Sequence, residues 1–145
     1  MLLFREPFVL TFGTLHRFSE RETIELEELN KESYCSRTEC EFLFFIERLL
    51  AERNVELNIV HQTSREEWVQ AFVRSNFGVA FMPLSTARRS KLNYAHVVGE
   101  PIVREVRVLW HSERALESQQ QAIVDILTRH DWKVIPRIGA LSAGN

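Results

Sequence analysis

Apolar and polar positions follow two rhythms along this chain, and each rhythm predicts a different element. Pro7 to Phe12 (PFVLTF) is a short apolar run closed by Gly13, the pattern of a buried strand. Thr14 to Arg21 reads as a loop. Thr23 is placed to cap a short helical turn through Asn30, with Leu26 and Leu29 facing inward. Ser33 to Arg37 (SYCSR) is a weaker strand candidate between helices. The strongest helical period runs from Thr38 or Glu39 to Arg53. At about 100° per residue, Phe42, Leu43, Phe45, Ile46, Leu49 and Leu50 form one broad apolar face, and Phe44 falls opposite with Glu47, Arg48 and Ala51.

Val55 to His61 alternates as a strand does, with Val55, Leu57 and Ile59 on one side. Ser64-Arg65-Glu66-Glu67 fits a capping box opening a helix that offers Trp68, Val69, Phe72 and Val73 to a core. Asn76 and Gly78 flank its end, and both tolerate the left-handed conformation that closes a helix. Gly78 to Met82 is continuously apolar and stopped by Pro83, which suits a strand covered on both faces. Asn93–Val98 and Val103–Trp110 are further strands. Leu116–His130 is a last amphipathic helix, with Leu116, Ile123, Ile126, Leu127 and His130 on one stripe. The order is β, short α, β, α, β, α, β, β, β, α. It predicts an α/β fold with right-handed crossovers and a mixed, mostly parallel sheet flanked by helices.

Composition then narrows the function. The chain has 145 residues, 45% hydrophobic and 26% charged, an ordinary globular balance within the length of one domain. No apolar run approaches the roughly 20 residues of a membrane-spanning helix. With 18 basic and 20 acidic residues the net charge is −2, against a surface built to neutralise nucleic-acid phosphates. Arg88, Arg89 and Lys91 read as a solvated turn, and Glu20 to Glu32 as a solvated acidic face. No signal peptide is evident, and a cytoplasmic location is expected. Walker, dinucleotide-glycine, Gly-x-Ser-x-Gly and His-Glu-x-x-His motifs are missing. Neither catalysis nor a metal or cofactor is expected. Trp68, Trp110 and Trp132 are assigned to core or hinge positions.

The chemistry that remains sits at strand ends, where open α/β sheets bind ligands. Arg37-Thr38 and Thr63-Ser64 each put hydroxyl donors beside the free amides of a helix N-terminus, and Arg37 adds a forked donor for a carboxylate or other oxyanion. Together with Cys35, Ser36 and Glu39 they form a candidate site for a small anion. Thr38, Thr63 and Ser64 also suit plain helix capping. Cys40, in the first turn of the long helix, would have a lowered thiol pKa, and with Cys35 it could form a redox pair; two reduced thiols serving as small hydrophobes are the plainer and preferred reading.

Glu56–Val60, Thr63–Val73 and Gly78–Val79–Ala80–Phe81–Met82–Pro83 together resemble the effector-binding domain of LysR-type transcriptional regulators. Arg5–Leu10 resembles its strand entering the second subdomain, Leu15-His16-Arg17-Phe18 its "HPL" hinge, and Leu26-Glu27-Glu28-Leu29 its "L-x-E-L" turn. The pieces stand in the family's order over about residues 3–130. Arg17 replaces the usual hinge proline, and Ser75-Asn76-Phe77-Gly78 replaces Ala-Gly-Leu-Gly. The resemblance implies a type II periplasmic-binding-protein-like fold, divided here into 1–13 (last strand of a first subdomain), 14–106 (second subdomain), 107–136 (return strand and closing helix) and 137–145 (a flexible tail). It implies a small-molecule effector on the loops Cys35–Glu39 and Thr63–Ser64. It also implies a dimer using Phe44, Glu47, Arg48, Ala51 and, on the following strand, Asn58. DNA would be read by a helix-turn-helix that this sequence lacks, as in a truncated protein or an excised piece. In such an incomplete domain, the strand at Pro7–Phe12 and the last helix are expected to be short of partners.

Overall fold

The structure is a computed structural model and describes residues 1–99, 101–110 and 116–132. Its elements are β1 (Leu2–Phe12), β2 (Thr23–Ile24), a 3-10 turn (Leu26–Leu29), β3 (Ser33–Arg37), α1 (Leu43–Glu52), β4 (Asn58–Thr63), α2 (Glu66–Arg74), β5 (Ala80–Pro83), α3 (Leu84–Arg89), β6 (Asn93–Val97), β7 (Val103–Arg107) and α4 (Ser118–Arg129). The chain divides into a larger compact unit, Pro7–Ile102, and a smaller one, Met1–Glu6 with Val103–Asn145. The divisions expected from sequence lay at 13/14 and 106/107; the unit boundaries lie at Glu6/Pro7, inside β1, and at Ile102/Val103. The expected tail, 137–145, lies outside the described residues.

In the larger unit the sheet runs in the order β2-β6-β1-β5. β3 and β4 pair in parallel, and a parallel bridge from Tyr34 to Val79 links β3 to the strand leading into β5. β2 and β6 are also parallel, whereas β1 is antiparallel to both β5 and β6, so the sheet is mixed. The Pro7–Phe12 segment is therefore not short of partners. It runs through the middle of the sheet with Val9 and Leu10 wholly buried. β5 shows why its sequence is continuously apolar. Phe81 joins a core with Phe8, Leu10, Phe12 and the α1 residues Ile46 and Leu50. Its neighbours Ala80 and Met82 join another with Val69 and Val73 of α2. Alternate side chains of one strand thus serve opposite faces of the sheet, each covered by a helix.

Several local expectations are corrected. Thr23 caps nothing: it lies in β2, and the Leu26–Leu29 turn is opened by Glu25, whose backbone N–H donates to Glu28. The helix predicted from Thr38 or Glu39 starts at Leu43, so Thr38 and Cys40 precede it. The Thr38 N–H is spent instead on the Thr63 carbonyl at 3.0 Å, which prolongs the β3–β4 pairing. The Ser64 capping box does not form. α2 begins one residue later with Arg65 as its cap residue, and Thr63 Oγ1 accepts from the Arg65 N–H at 3.2 Å. Alternation in β4 is broken by a bulge: Tyr34 faces Ile59 but Cys35 faces His61, leaving Val60 as the extra residue. Val60 packs on the α2-side core, and Ile59 is exposed. Trp68 is also more than half exposed, because α2 buries Val69 and Val73. Arg88 and Arg89, expected in a solvated turn, instead end the short helix α3, which buries Leu84, Thr86 and Ala87.

The Leu15–Phe18 segment, expected at a hinge, lies within the larger unit. Phe18 is buried, and His16 and Arg17 both engage Glu32, at 3.2 and 2.8 Å. Asn76 does adopt the left-handed conformation, with φ 58°, that closes α2.

In the smaller unit β7 pairs β1, and the fully buried Glu6 carboxylate is paired with Arg104 at 2.5 Å. Trp132 stacks on Phe4 and donates its indole N–H to the Leu127 carbonyl at 2.8 Å. Trp110 is nearly half exposed rather than in a core. α4 buries none of its residues, and Ile123 and Ile126 stand open.

Candidate functional site

β3 and β5 carry the site on their C-terminal halves, and α1 and α2 enclose it within the larger unit. A small pocket, partly open to solvent and with a volume of about 10 Å³, has an apolar wall from Leu43 and Ile46 of α1, Val69 of α2, and Phe81, Met82 and Pro83 of β5. Tyr34, Cys35, Arg37, Cys40 and Glu66 complete it.

Arg37 is the centre of its electrostatics. Nη1 donates to Glu66 Oε2 and Nη2 to Glu41 Oε2, each at 2.7 Å. The other Glu66 oxygen accepts from Gln70 Nε2 at 3.1 Å, one helical turn along α2. Arg37 and Glu66 are both largely shielded, with side chains 22% and 25% exposed, while Glu41 is 44% exposed. Burial opposes the guanidinium charge, but a hydrogen bond with Cys40 and the charges of Glu41 and Glu66 outweigh it and hold the Arg37 pKa above its ordinary value.

The thiols differ. Burial pushes the Cys35 thiol up to about 11, so it stays protonated near neutral pH. Cys40 is half-buried, and neither cysteine is in a disulfide. Because α1 starts at Leu43, Cys40 lies before the first helical turn; its polar neighbour is Arg37. Tyr34 is buried, and its hydroxyl oxygen accepts from the Phe81 N–H at 3.3 Å. Burial raises its pKa well above the usual phenol value.

Among the residues expected to hold an effector, Cys35 and Arg37 line the pocket. Ser36 is buried beside it, Thr63 is half-buried, and Thr38, Glu39 and Ser64 are exposed on the loops above the strand ends; none of these five lines it. Sequence reasoning missed Glu41, Glu66 and the apolar wall. Glu41, four residues beyond Arg37, had a readable spacing. Glu66 lies 29 residues away and is brought in only by the parallel β3–β4 pairing. The residues expected at a dimer contact, Phe44, Glu47, Arg48, Ala51 and Asn58, are all exposed. Among the described residues, no three or more His, Cys, Asp or Glu side chains are grouped to hold a metal ion, and no helix is long and apolar enough to cross a membrane.

Comparison with known proteins agrees with this architecture. The fold is similar to the regulatory domain of CcmR from Synechocystis PCC6803 in complex with 2-PG, with a TM-score of 0.77 at 18% identity over 88% of this chain. It is similar to the effector binding domain of QuiR in complex with shikimate, with a TM-score of 0.68 at 17% identity over 93% of this chain. The chain spans 64% and 66% of those two chains. HinK, a LysR family transcriptional regulator from Pseudomonas aeruginosa, matches with a TM-score of 0.63 at 19% identity, over 83% of this chain and 43% of that one. Among curated protein sequences none matches. The model of the LysR substrate binding domain matches residues 1–132, and the chain belongs to that family.

Proposed function

We propose that this chain is the effector-sensing part of a LysR-type transcriptional regulator, and that it binds a small molecule bearing an anionic group in the pocket beside Arg37. The observation that carries the reading is the Arg37 fork, set at the C-terminal end of β3 in a solvent-open pocket between α1 and α2. A guanidinium there can grip a carboxylate or phosphate with directed hydrogen bonds. The CcmR and QuiR domains are in complex with 2-PG and shikimate, which supports small-molecule recognition on this fold. The role is binding, not catalysis. Thr63 at the end of β4, with Thr38, Glu39 and Ser64 on the adjoining loops, would close over the ligand with Cys35 and Ser36 beneath. In this reading the chain works in the cytoplasm as a homodimer, and a separate helix-turn-helix contacts DNA. Differential affinity for two arrangements of the domain would turn occupancy into altered DNA binding.

A thermal-shift screen of small carboxylates and phosphorylated metabolites tests this. At about a hundredfold excess over Kd, a true effector stabilises the chain by about 2.7 kcal/mol, a shift of several degrees, and Arg37→Ala removes it. A screen in which nothing shifts the wild-type chain, or in which the shifts survive Arg37→Ala, refutes the assignment.

A further inference from the structure

We propose that the outer face of α2 is a self-contact, on which a second copy of this chain docks its own α2 antiparallel about a twofold axis. The inference does not depend on the effector reading. α2 turns Val69 and Val73 into the core. At about 100° per residue, Glu67, Ala71 and Arg74 form one stripe on the opposite side with Trp68 beside it, and all four are exposed. Trp68 belongs to a larger cluster. Its ring lies 6.4 Å from that of Phe72, and Phe72 lies 5.3 Å from Phe77. Trp68 and Phe77 are both more than half exposed. Three aromatic rings in contact at a surface, edged by charges, are composed like the centre and rim of an interface.

The charges name the occupant. Glu67 stands in the first turn of α2 and Arg74 in its last, about 10 Å apart along the axis. A neighbour running parallel would set glutamate against glutamate and arginine against arginine. A twofold-related copy runs antiparallel and sets each Glu67 against the other copy's Arg74, making two opposite-charge pairs at once. The midpoint of that span falls beside Ala71, and a small side chain at the crossing point lets two helices approach closely. A partner of another sequence would have to reproduce this order, whereas a second copy has it by symmetry. α1 and α2 cover opposite faces of the sheet, so this contact and one through Phe44 use different surfaces. The α2 rings already cover one another in part and gain less on association than the more exposed Phe44. The α2 contact is therefore the weaker one, joining at higher concentration pairs already made through α1.

The test is sedimentation equilibrium of the full chain carrying Phe44→Asp, which leaves the α2 contact to act alone. This parent should self-associate weakly and reversibly. Adding Glu67→Arg or Arg74→Glu turns both pairs into like charges, and each should weaken self-association about tenfold or more. Mixed in equal amounts, the two charge variants should bind each other as tightly as the parent binds itself, because each supplies the charge the other lacks. A parent that stays monomeric at every concentration leaves the face to a different partner and overturns the proposal. Reversals that change nothing place the contact on another surface and overturn it too, as does a mixture that associates no better than its components. Arg74 donates to the Ser90 carbonyl at 2.8 Å, so its variant is checked for folding by urea unfolding. Should either charge variant fail to fold, Trp68→Ser decides: it should abolish self-association of the parent, and association that survives it overturns the proposal.

Discussion

At the scale of single residues, the most constrained contact in the larger unit joins two turns distant in sequence. Asn76 sits at φ 58° just past α2, and its side-chain oxygen accepts from the Leu15 N–H at 2.9 Å. Gly13 lies against it: a Cβ there would stand 2.3 Å from Asn76 Oδ1 and 2.7 Å from the Val73 carbonyl oxygen. The second contact is with backbone, so a rotamer change cannot relieve it. Gly13→Ala should destabilise the chain by about 1–3 kcal/mol, the range for forced overpacking, measured by urea unfolding. Glu32 carries a pH dependence. Burial raises its pKa, but hydrogen bonds from Arg17 and His16 outweigh burial and leave it below its ordinary 4.5. A carboxylate whose folded pKa is lowered stabilises the fold above the unfolded value, and that contribution is lost as pH falls through the folded value. The melting temperature of wild-type should therefore drop from pH 5 to pH 3 by more than that of Glu32→Gln, and equal drops would show that the pair contributes nothing.

At the scale of elements, legibility followed the length of the pattern. The long amphipathic α1 and the apolar β5 were readable because many positions report one period, and Ile46, Leu50 and Phe81 are buried as the period requires. Errors cluster where a tertiary contact overrode a local signal. Residues 38–42 have helical periodicity, yet Thr38 gives its N–H to Thr63 and Glu41 folds back to Arg37, so the helix starts at Leu43. The bulge at Val60 inverts an alternation that sequence alone presents as regular. α3 has six residues, too few for a 3.6-residue period to show. The site divides the same way. Arg37 was legible because a lone arginine at a strand end is chemically conspicuous. Glu66 was not, because only the parallel pairing of β3 with β4 brings α2 to it.

At the scale of the whole molecule, the open question of assembly rests on which apolar surface is left uncovered. In the larger unit Phe44 on α1 is 84% exposed, with Glu47, Arg48 and Ala51 exposed on the same helix, and Ile59 on β4 is 46% exposed beside the exposed Asn58 in sequence. In the smaller unit α4 leaves Ile123 58% and Ile126 67% exposed. Each surface could bury an aromatic or branched anchor in a partner, the feature that dominates interface energetics. Family resemblance favours the α1 face, and so does its composition: a large aromatic surrounded by charges of both signs has an anchor and a polar rim, whereas α4 lacks an aromatic. Sedimentation of the wild-type chain should show a reversible dimer, and Phe44→Asp should weaken it by at least about tenfold, the loss of a modest hot spot. Ile126→Asp should leave it unchanged. The opposite ranking would move the interface to α4, and a wild-type chain monomeric at all concentrations would remove the α1 assignment altogether. Phe44 contributes no core packing, so at a concentration where wild-type is monomeric its variant should unfold at the wild-type urea midpoint; a lowered midpoint under those conditions would mean that the loss of dimer was a loss of fold.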